Sequence, residues 1–163
     1  MEGYTLIITE KPEAASRIAH ALDFDGTPRK RIDNGVPFYV ARRDKEIVIV
    51  PALGHLYTVG GKAKDRSSYP VFEYKWVPVY VVERNTKRIR SWIATISKLA
   101  ANADAFIDAC DFDIEGSLVG FNILKFACRE KENFARRMKY STLTKGEIEQ
   151  AFLETLPTLD FCL

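Results

Sequence analysis

The hydropathy pattern opens with Tyr4-Thr5-Leu6-Ile7-Ile8-Thr9, a short β-branched run of the kind that forms a strand buried on both faces. Glu10-Lys11 ends the run, and Pro12 suits the first turn of a helix. Ala15, Ile18, Ala19 and Leu22 then recur at helical spacing, which predicts a helix over 12–22. Strand, short turn and helix together open an α/β unit. Residues 23–36 are polar, basic and punctuated by Gly and Pro, and are read as a loop. Strands are expected at 38–41 and 46–50, joined by a short charged connection into an antiparallel hairpin on the edge of the sheet. Residues 51–56 leave as a loop, and 60–70 form a polar, glycine-containing stretch read as mobile. The segment 76–82 is extended, with Pro78 favouring an edge or a bulge.

The second half alternates helix and strand. Residues 86–101 place Ile89, Trp92, Ile93, Ile96, Leu99 and Ala100 on one face and basic residues on the other. The apolar run 105–109 is the expected central strand. Residues 117–129 are apolar nearly all round, which predicts a deeply packed helix, with Gly116 as the turn before it and Ser117 as its N-cap. Residues 137–141 are read as a further strand. Thr144-Lys145-Gly146-Glu147 has the capping-box pattern and opens a last helix to about 154. The expected fold is therefore α/β: a mainly parallel central sheet flanked by helices, with an antiparallel edge hairpin.

Composition narrows the class. A chain of 163 residues, 47% apolar, buries one sizeable core, so one domain over 1–163 is expected. No apolar run reaches the roughly 18 residues of a membrane helix. The N-terminus lacks the basic region and cleavage site of a signal peptide. Three cysteines form neither a CxxC pair nor a disulfide-dense pattern. These features lead to the expectation of an intracellular, cytoplasmic protein. Net charge is +2 but uneven: residues 1–90 hold 16 basic against 11 acidic residues, and residues 91–163 hold 8 against 11. The basic part carries clusters at Arg29-Lys30-Arg31, Arg42-Arg43 and Lys87-Arg88-Ile89-Arg90, which can meet phosphates or simply face solvent.

The candidate chemistry gathers at Asp111-Phe112-Asp113-Ile114-Glu115-Gly116, directly after the central strand. Alternate positions of an extended segment point to one face, so Asp111 and Asp113 are expected side by side. At an effective dielectric of about 20, like charges some 4–5 Å apart repel by roughly 3–4 kcal/mol. A shared divalent cation relieves that repulsion, and Mg²⁺ takes oxygen ligands, usually one or two carboxylates with water and phosphate. The competing reading is an acidic turn before a helix. In an open α/β sheet, ligands bind beyond the carboxyl ends of the parallel strands. The first strand ends at Glu10, and if it neighbours the central strand, four carboxylates converge on one rim. Glu10 could then exchange a proton with a phosphoester oxygen, and Lys11 could meet the same phosphate. Alternatively both are helix-start residues, with a favourable dipole term for the glutamate.

Thr9-Glu10-Lys11-Pro12, Gly54-His55-Leu56 and Asp111-x-Asp113-x-Glu115-Gly116 occur in the order and spacing of the Toprim domain of type IA DNA topoisomerases, and the chain resembles that family. Arg137-x-x-Tyr140-Ser141-x-Leu143-Thr144 with Ala151-Phe152 resembles the domain's closing strand and helix. The Glu-Lys-Pro form looks closer to the topoisomerase III branch and archaeal relatives. Many relatives carry a basic residue before the glutamate and an acidic one after the glycine, where this chain has Ile114 and Ser117.

The resemblance implies a Rossmann-like Toprim fold and an enzyme that cuts, passes and reseals DNA strands without ATP. It implies Glu10 as general acid/base and Lys11 as a support for the scissile phosphate. Glu10, Asp111, Asp113 and Glu115 would form the Mg²⁺ set, with His55 and Arg137 along the DNA path; the competing reading of His55 is a loop histidine bonded to backbone. Implied partners are single-stranded DNA and the remaining topoisomerase domains, in a nucleoid-associated setting. The attacking tyrosine of the family lies in a separate downstream domain, and none of the seven tyrosines here has that context. The chain is therefore expected to be the N-terminal part of a larger enzyme. Alternatives are a stand-alone Toprim nucleic-acid-binding protein, or a primase or OLD-type nuclease.

Overall fold

A computed structural model describes residues 3–61, 74–83 and 86–159. In chain order the elements are β1 (Tyr4–Thr9), α1 (Pro12–Leu22), β2 (Arg29–Asp33), β3 (Val36–Arg42), β4 (Glu46–Pro51), β5 (Tyr57–Gly61), β6 (Tyr74–Pro78), α2 (Val79–Val82) and α3 (Lys87–Ala100). They continue with β7 (Ala103–Asp108), α4 (Ile114–Asn122), a π-helical turn at Ile123–Ala127, β8 (Arg136–Arg137) and α5 (Lys145–Leu153). The main sheet runs β2-β3-β4-β1-β7-β8, and β5 pairs with β6 in a separate ribbon. Strands β4, β1, β7 and β8 are parallel, while β3 and β2 continue the sheet antiparallel. This is the mixed, mainly parallel α/β sheet that the alternation of elements predicts.

β1 lies inside the sheet, between β4 and β7. Successive side chains of a strand face opposite ways. Leu6 and Ile8 therefore join one apolar layer with Val48, Val50, Trp92, Ile96 and Phe106, and Ile7 joins the other with Ile18, Leu22, Ile49, Ile107 and Ile148. Leu6, Ile7 and Ile8 are fully buried, each contributing roughly 1.5–3 kcal/mol. α1 and α5 cover one face; α3 and the helix after β7 cover the other. α3 runs against β1, because the Trp92 indole donates to the Pro51 carbonyl at the carboxyl end of the sheet while Leu99 accepts from the Tyr4 hydroxyl at the opposite end.

The structure departs from the sequence reading in several places. The basic stretch read as loop contains β2, which forms a hairpin with β3 through Asn34 and Gly35, both at positive φ (50° and 79°). An Asn-Gly pair is the usual residue choice for that turn. The hairpin of β3 and β4 is present, but β2 occupies the edge. After Pro78 the extended segment gives way to the single helical turn of α2. Most of the 60–70 stretch lies outside the described residues, while Gly60 and Gly61 pair within β5. The expected 137–141 strand shrinks to β8, whose Arg137 also bridges Leu156. Thr144 caps α5 by position only: Glu147 accepts instead from the Thr142 amide at 3.0 Å, from the Ser141 amide and from the Thr142 hydroxyl. Those three donors hold the Glu147 carboxyl below its ordinary value. Cys110 and Cys128 are buried free thiols, and burial pushes Cys128 up to about 12.

Candidate acidic site at the carboxyl end of the sheet

β1 and β7 are hydrogen-bonded neighbours, with Ile8 opposite Asp108. Their carboxyl ends therefore deliver Glu10 and the acidic segment 111–115 to one rim. At the end of β1 the Thr9 hydroxyl donates to the Lys11 carbonyl at 3.2 Å, and Pro12 opens α1 immediately afterwards. This tight exit leaves the Lys11 side chain free to reach across the rim. Its ammonium bonds the Asp111 carboxylate and lies 3.5 Å from Glu10 Oε1. Both partners raise the Lys11 pKa, the hydrogen bond that Lys11 donates to Asp111 first. One cation is thus shared by carboxylates from two neighbouring strands. The Glu10 side chain is 17% exposed and that of Asp111 33%, so both remain open to a ligand.

β7 stops at Asp108, and the segment that follows bends away from the sheet. Asp111 and Asp113 are consequently not paired on one strand face. Asp111 turns toward Lys11, whereas Asp113 is the N-cap of α4, its Oδ1 accepting the Gly116 amide at 2.7 Å. The cap is Asp113 and not Ser117, which lies inside the helix. Gly116 packs directly on the Asp111 backbone, and Gly120 on the Asp108 carboxylate, so a side chain at either position would collide there. The two glycines let α4 sit against the acidic segment.

Glu115 projects from the first turn of α4 and pairs with His55, Nε2 to Oε2 2.6 Å, joining the Gly54-His55-Leu56 loop to the acidic segment. Beside this pair opens a cleft of about 520 Å³, lined in part by Tyr57, Val59, Trp76 and Leu118. The sequence reading did not select these residues. Their placement depends on the β5–β6 ribbon, which brings Val59 opposite Trp76.

Arg137 corrects an expectation. The sequence reading puts it on the DNA path, yet it is 1% exposed and cannot present its guanidinium to a large ligand. It pairs with the buried carboxylate of Asp108 at 3.3 Å and donates to the carbonyls of Asp108, Cys110 and Asp111 at 3.3, 2.9 and 2.9 Å. It is a clamp beneath the acidic segment.

The donor set suits a hard divalent cation, since Glu10, Asp111, Asp113 and Glu115 offer only carboxylate oxygens. Lys11 shows that Glu10 and Asp111 can share a cation. Among the described residues, no three such side chains close into a cage. An ion would draw Asp113 from its cap and Glu115 from His55, or take water in their place.

The chain matches the family profile described as "Toprim domain" over residues 5–143. It is 41% identical over 157 residues to the protein named "DNA topoisomerase 1" of Pyrococcus horikoshii, covering 96% of this chain and 23% of that relative. It is 45% identical over 150 residues to the protein of the same name from Methanocaldococcus jannaschii, covering 90% and 19%. The Aeropyrum pernix protein, also named "DNA topoisomerase 1", is 36% identical over 147 residues, covering 90% and 21%. The chain spans less than a quarter of the length of each of these relatives. With the profile matched over most of its length, and with its acidic motif at the ends of adjacent parallel strands, the chain belongs to the Toprim domain family.

Proposed function

We propose that this chain is the ion-holding half of the active site of a type IA DNA topoisomerase, an enzyme that cuts one DNA strand, passes another and reseals the break. The observation that carries the reading is the meeting of Glu10 and Asp111 around one ammonium, at the ends of β1 and β7. Glu10, on the less exposed side of that arrangement, is the general acid/base at the cleaved phosphodiester, returning a proton to the leaving 3′ oxygen. Lys11 meets the scissile phosphate in exchange for the carboxylates. Asp111 and Asp113 hold Mg²⁺, with Glu10 and Glu115 completing or supporting its shell. When bound, the ion supplies positive charge against the developing negative charge on phosphate oxygens.

The surroundings favour a nucleic acid. α3 begins at the same rim and brings Lys87, Arg88 and Arg90 there, which gives a phosphate backbone a positive approach. The cleft beside His55 and Glu115 offers the exposed Trp76 as a surface on which an unstacked base can lie. The attacking tyrosine is supplied by another domain, so the 163-residue chain alone should bind divalent ions and single-stranded DNA without strand transfer.

The test is a Mg²⁺ titration of the chain followed by NMR. Shifts confined to 10–11 and 111–116 are expected. A well-folded sample with no response there sinks the ion assignment. For Glu10, a longer protein carrying this domain and Glu10→Ala should lose relaxation of supercoiled DNA, and normal relaxation would refute the acid/base role.

A further inference from the structure

Four consecutive carbonyls, from Asp108 to Asp111, lie where β7 ends and the chain bends toward α4. Every one of them is held by the segment that begins with β8. Arg137 donates to Asp108, Cys110 and Asp111, and the Met138 amide gives Asp108 a second donor at 2.8 Å. The remaining carbonyl, that of Ala109, accepts from the Tyr140 hydroxyl at 2.8 Å. We propose that Arg137 and Tyr140 are positioning residues that fix the 108–111 backbone and thereby aim the Asp111 carboxylate at Lys11 and Glu10.

Two features separate this arrangement from ordinary core packing. A buried carbonyl needs a donor, and a single β-ladder partner would have met that need for any strand that continued. Here the chain leaves the ladder, and a planar guanidinium with several donors in fixed directions takes over. The buried Asp108 carboxylate, which also accepts the Cys110 amide at 3.0 Å, lies 3.3 Å from the same Arg137 Nη1 that meets the Asp108 and Cys110 carbonyls. Asp111 is the last residue gripped, and its side chain is the first to face the rim. Any freedom in the grip is therefore passed directly to that carboxylate. The inference rests on the proposed function only in treating the aim of Asp111 as useful to a reaction; the aim itself is a matter of geometry.

The test compares the unsubstituted chain with Arg137→Lys, which keeps the charge opposite Asp108 but loses the fork, and Tyr140→Phe, which removes one hydroxyl. Three NMR measurements are made: the nuclear Overhauser contact between the Lys11 and Asp111 side chains, amide hydrogen exchange along the chain, and half-saturation by Mn²⁺ alone. In both variants the Lys11–Asp111 contact should fall to less than half. Exchange at residues 109–112 should quicken at least tenfold while β1 and β4 stay unchanged, and half-saturation should need at least fivefold more Mn²⁺. A full-strength contact in both variants overturns the proposal. Quickening spread evenly through β1 and β4 also overturns it, because the two residues are then only fold stabilisers. Asp111→Asn reports separately on the ion reading. If it binds Mn²⁺ as the unsubstituted chain does, that reading fails, and the side-chain contact alone decides the positioning role.

Discussion

Asp113 Oδ1 accepts the backbone amide of Gly116 at 2.7 Å, so the second aspartate of the acidic motif is the N-cap of α4. The carboxylate closes a helix end, and the proposed ion site would ask it to meet a cation as well. Substitution can separate them. Asn caps nearly as well as Asp, whereas Ala does not. Asp113→Ala should lower unfolding stability by about 1 kcal/mol in urea titration. Asp113→Asn should stay within a few tenths of the parent and still weaken Mn²⁺ binding. Equal Mn²⁺ affinity in Asp113→Asn would restrict the residue to its cap.

Lys11 holds the ground between Glu10 and Asp111 that a divalent ion would enter. Its removal leaves two carboxylates without a shared cation, and an arriving ion no longer has an ammonium to displace. Lys11→Gln should therefore bind Mn²⁺ more tightly, and the difference should shrink as salt is raised. Weaker binding in isothermal titration would show that Lys11 supports the ion instead of competing with it.

Asp108 is buried and faces the Arg137 guanidinium. Removing one partner of such a pair leaves an uncompensated buried charge, which costs about 3–5 kcal/mol. Asp108→Ala should lose that much in urea unfolding, or fail to accumulate folded. Asp108→Ala combined with Arg137→Met should recover part of the loss. No recovery would mean that the carbonyl contacts of Arg137 outweigh its ion pair.

Asp23, 3% exposed, follows α1 and accepts amides of Asp25, Thr27 and Arg42 at 3.2, 2.9 and 2.8 Å. Burial opposes its ionised form, but the amides outweigh it and the pKa is lowered. A carboxyl depressed by folding contributes stability that is complete above its unfolded value, about 3.9, and is lost as pH falls through the folded value. Asp23→Asn should flatten the decline of stability below about pH 4 and cost roughly 1–2 kcal/mol at neutral pH. Parallel acid profiles for the two proteins would contradict the assignment.

Much of the fold was written locally. The β-branched run of β1, the proline that opens α1 and the apolar face of α3 each follow from a few adjacent residues. Their edges agree with the structure to within a residue or so. β2 was hidden because Arg29-Lys30-Arg31-Ile32-Asp33 has one apolar residue, although Asn34-Gly35 marked its turn. The cap of α4 could not be chosen locally, since Asp113 and Ser117 are both good capping residues. The close seat of Gly116 on the Asp111 backbone starts the helix earlier. Arg137 and the His55–Glu115 pair depend on residues 26 to 60 positions away. Whether a cation meets a buried carbonyl or a phosphate is decided by the assembled sheet, not by the motif around it.

The β2 edge has a consequence beyond this chain's own folding. An open sheet ends in unpaired backbone groups, and a second sheet can dock there strand to strand. β2 presents Arg29, Lys30 and Arg31 in succession, all exposed, along that border. A second copy aligning its β2 alongside would set basic residues against basic residues, with Arg29 partly offset by its pair with Glu46 at 3.2 Å. At the opposite border, Leu156 bonds back to Arg137 through amide and carbonyl, so the last strand has already met its neighbour. One border of the sheet is guarded by charge and the other is closed by the chain itself, and both oppose runaway strand addition.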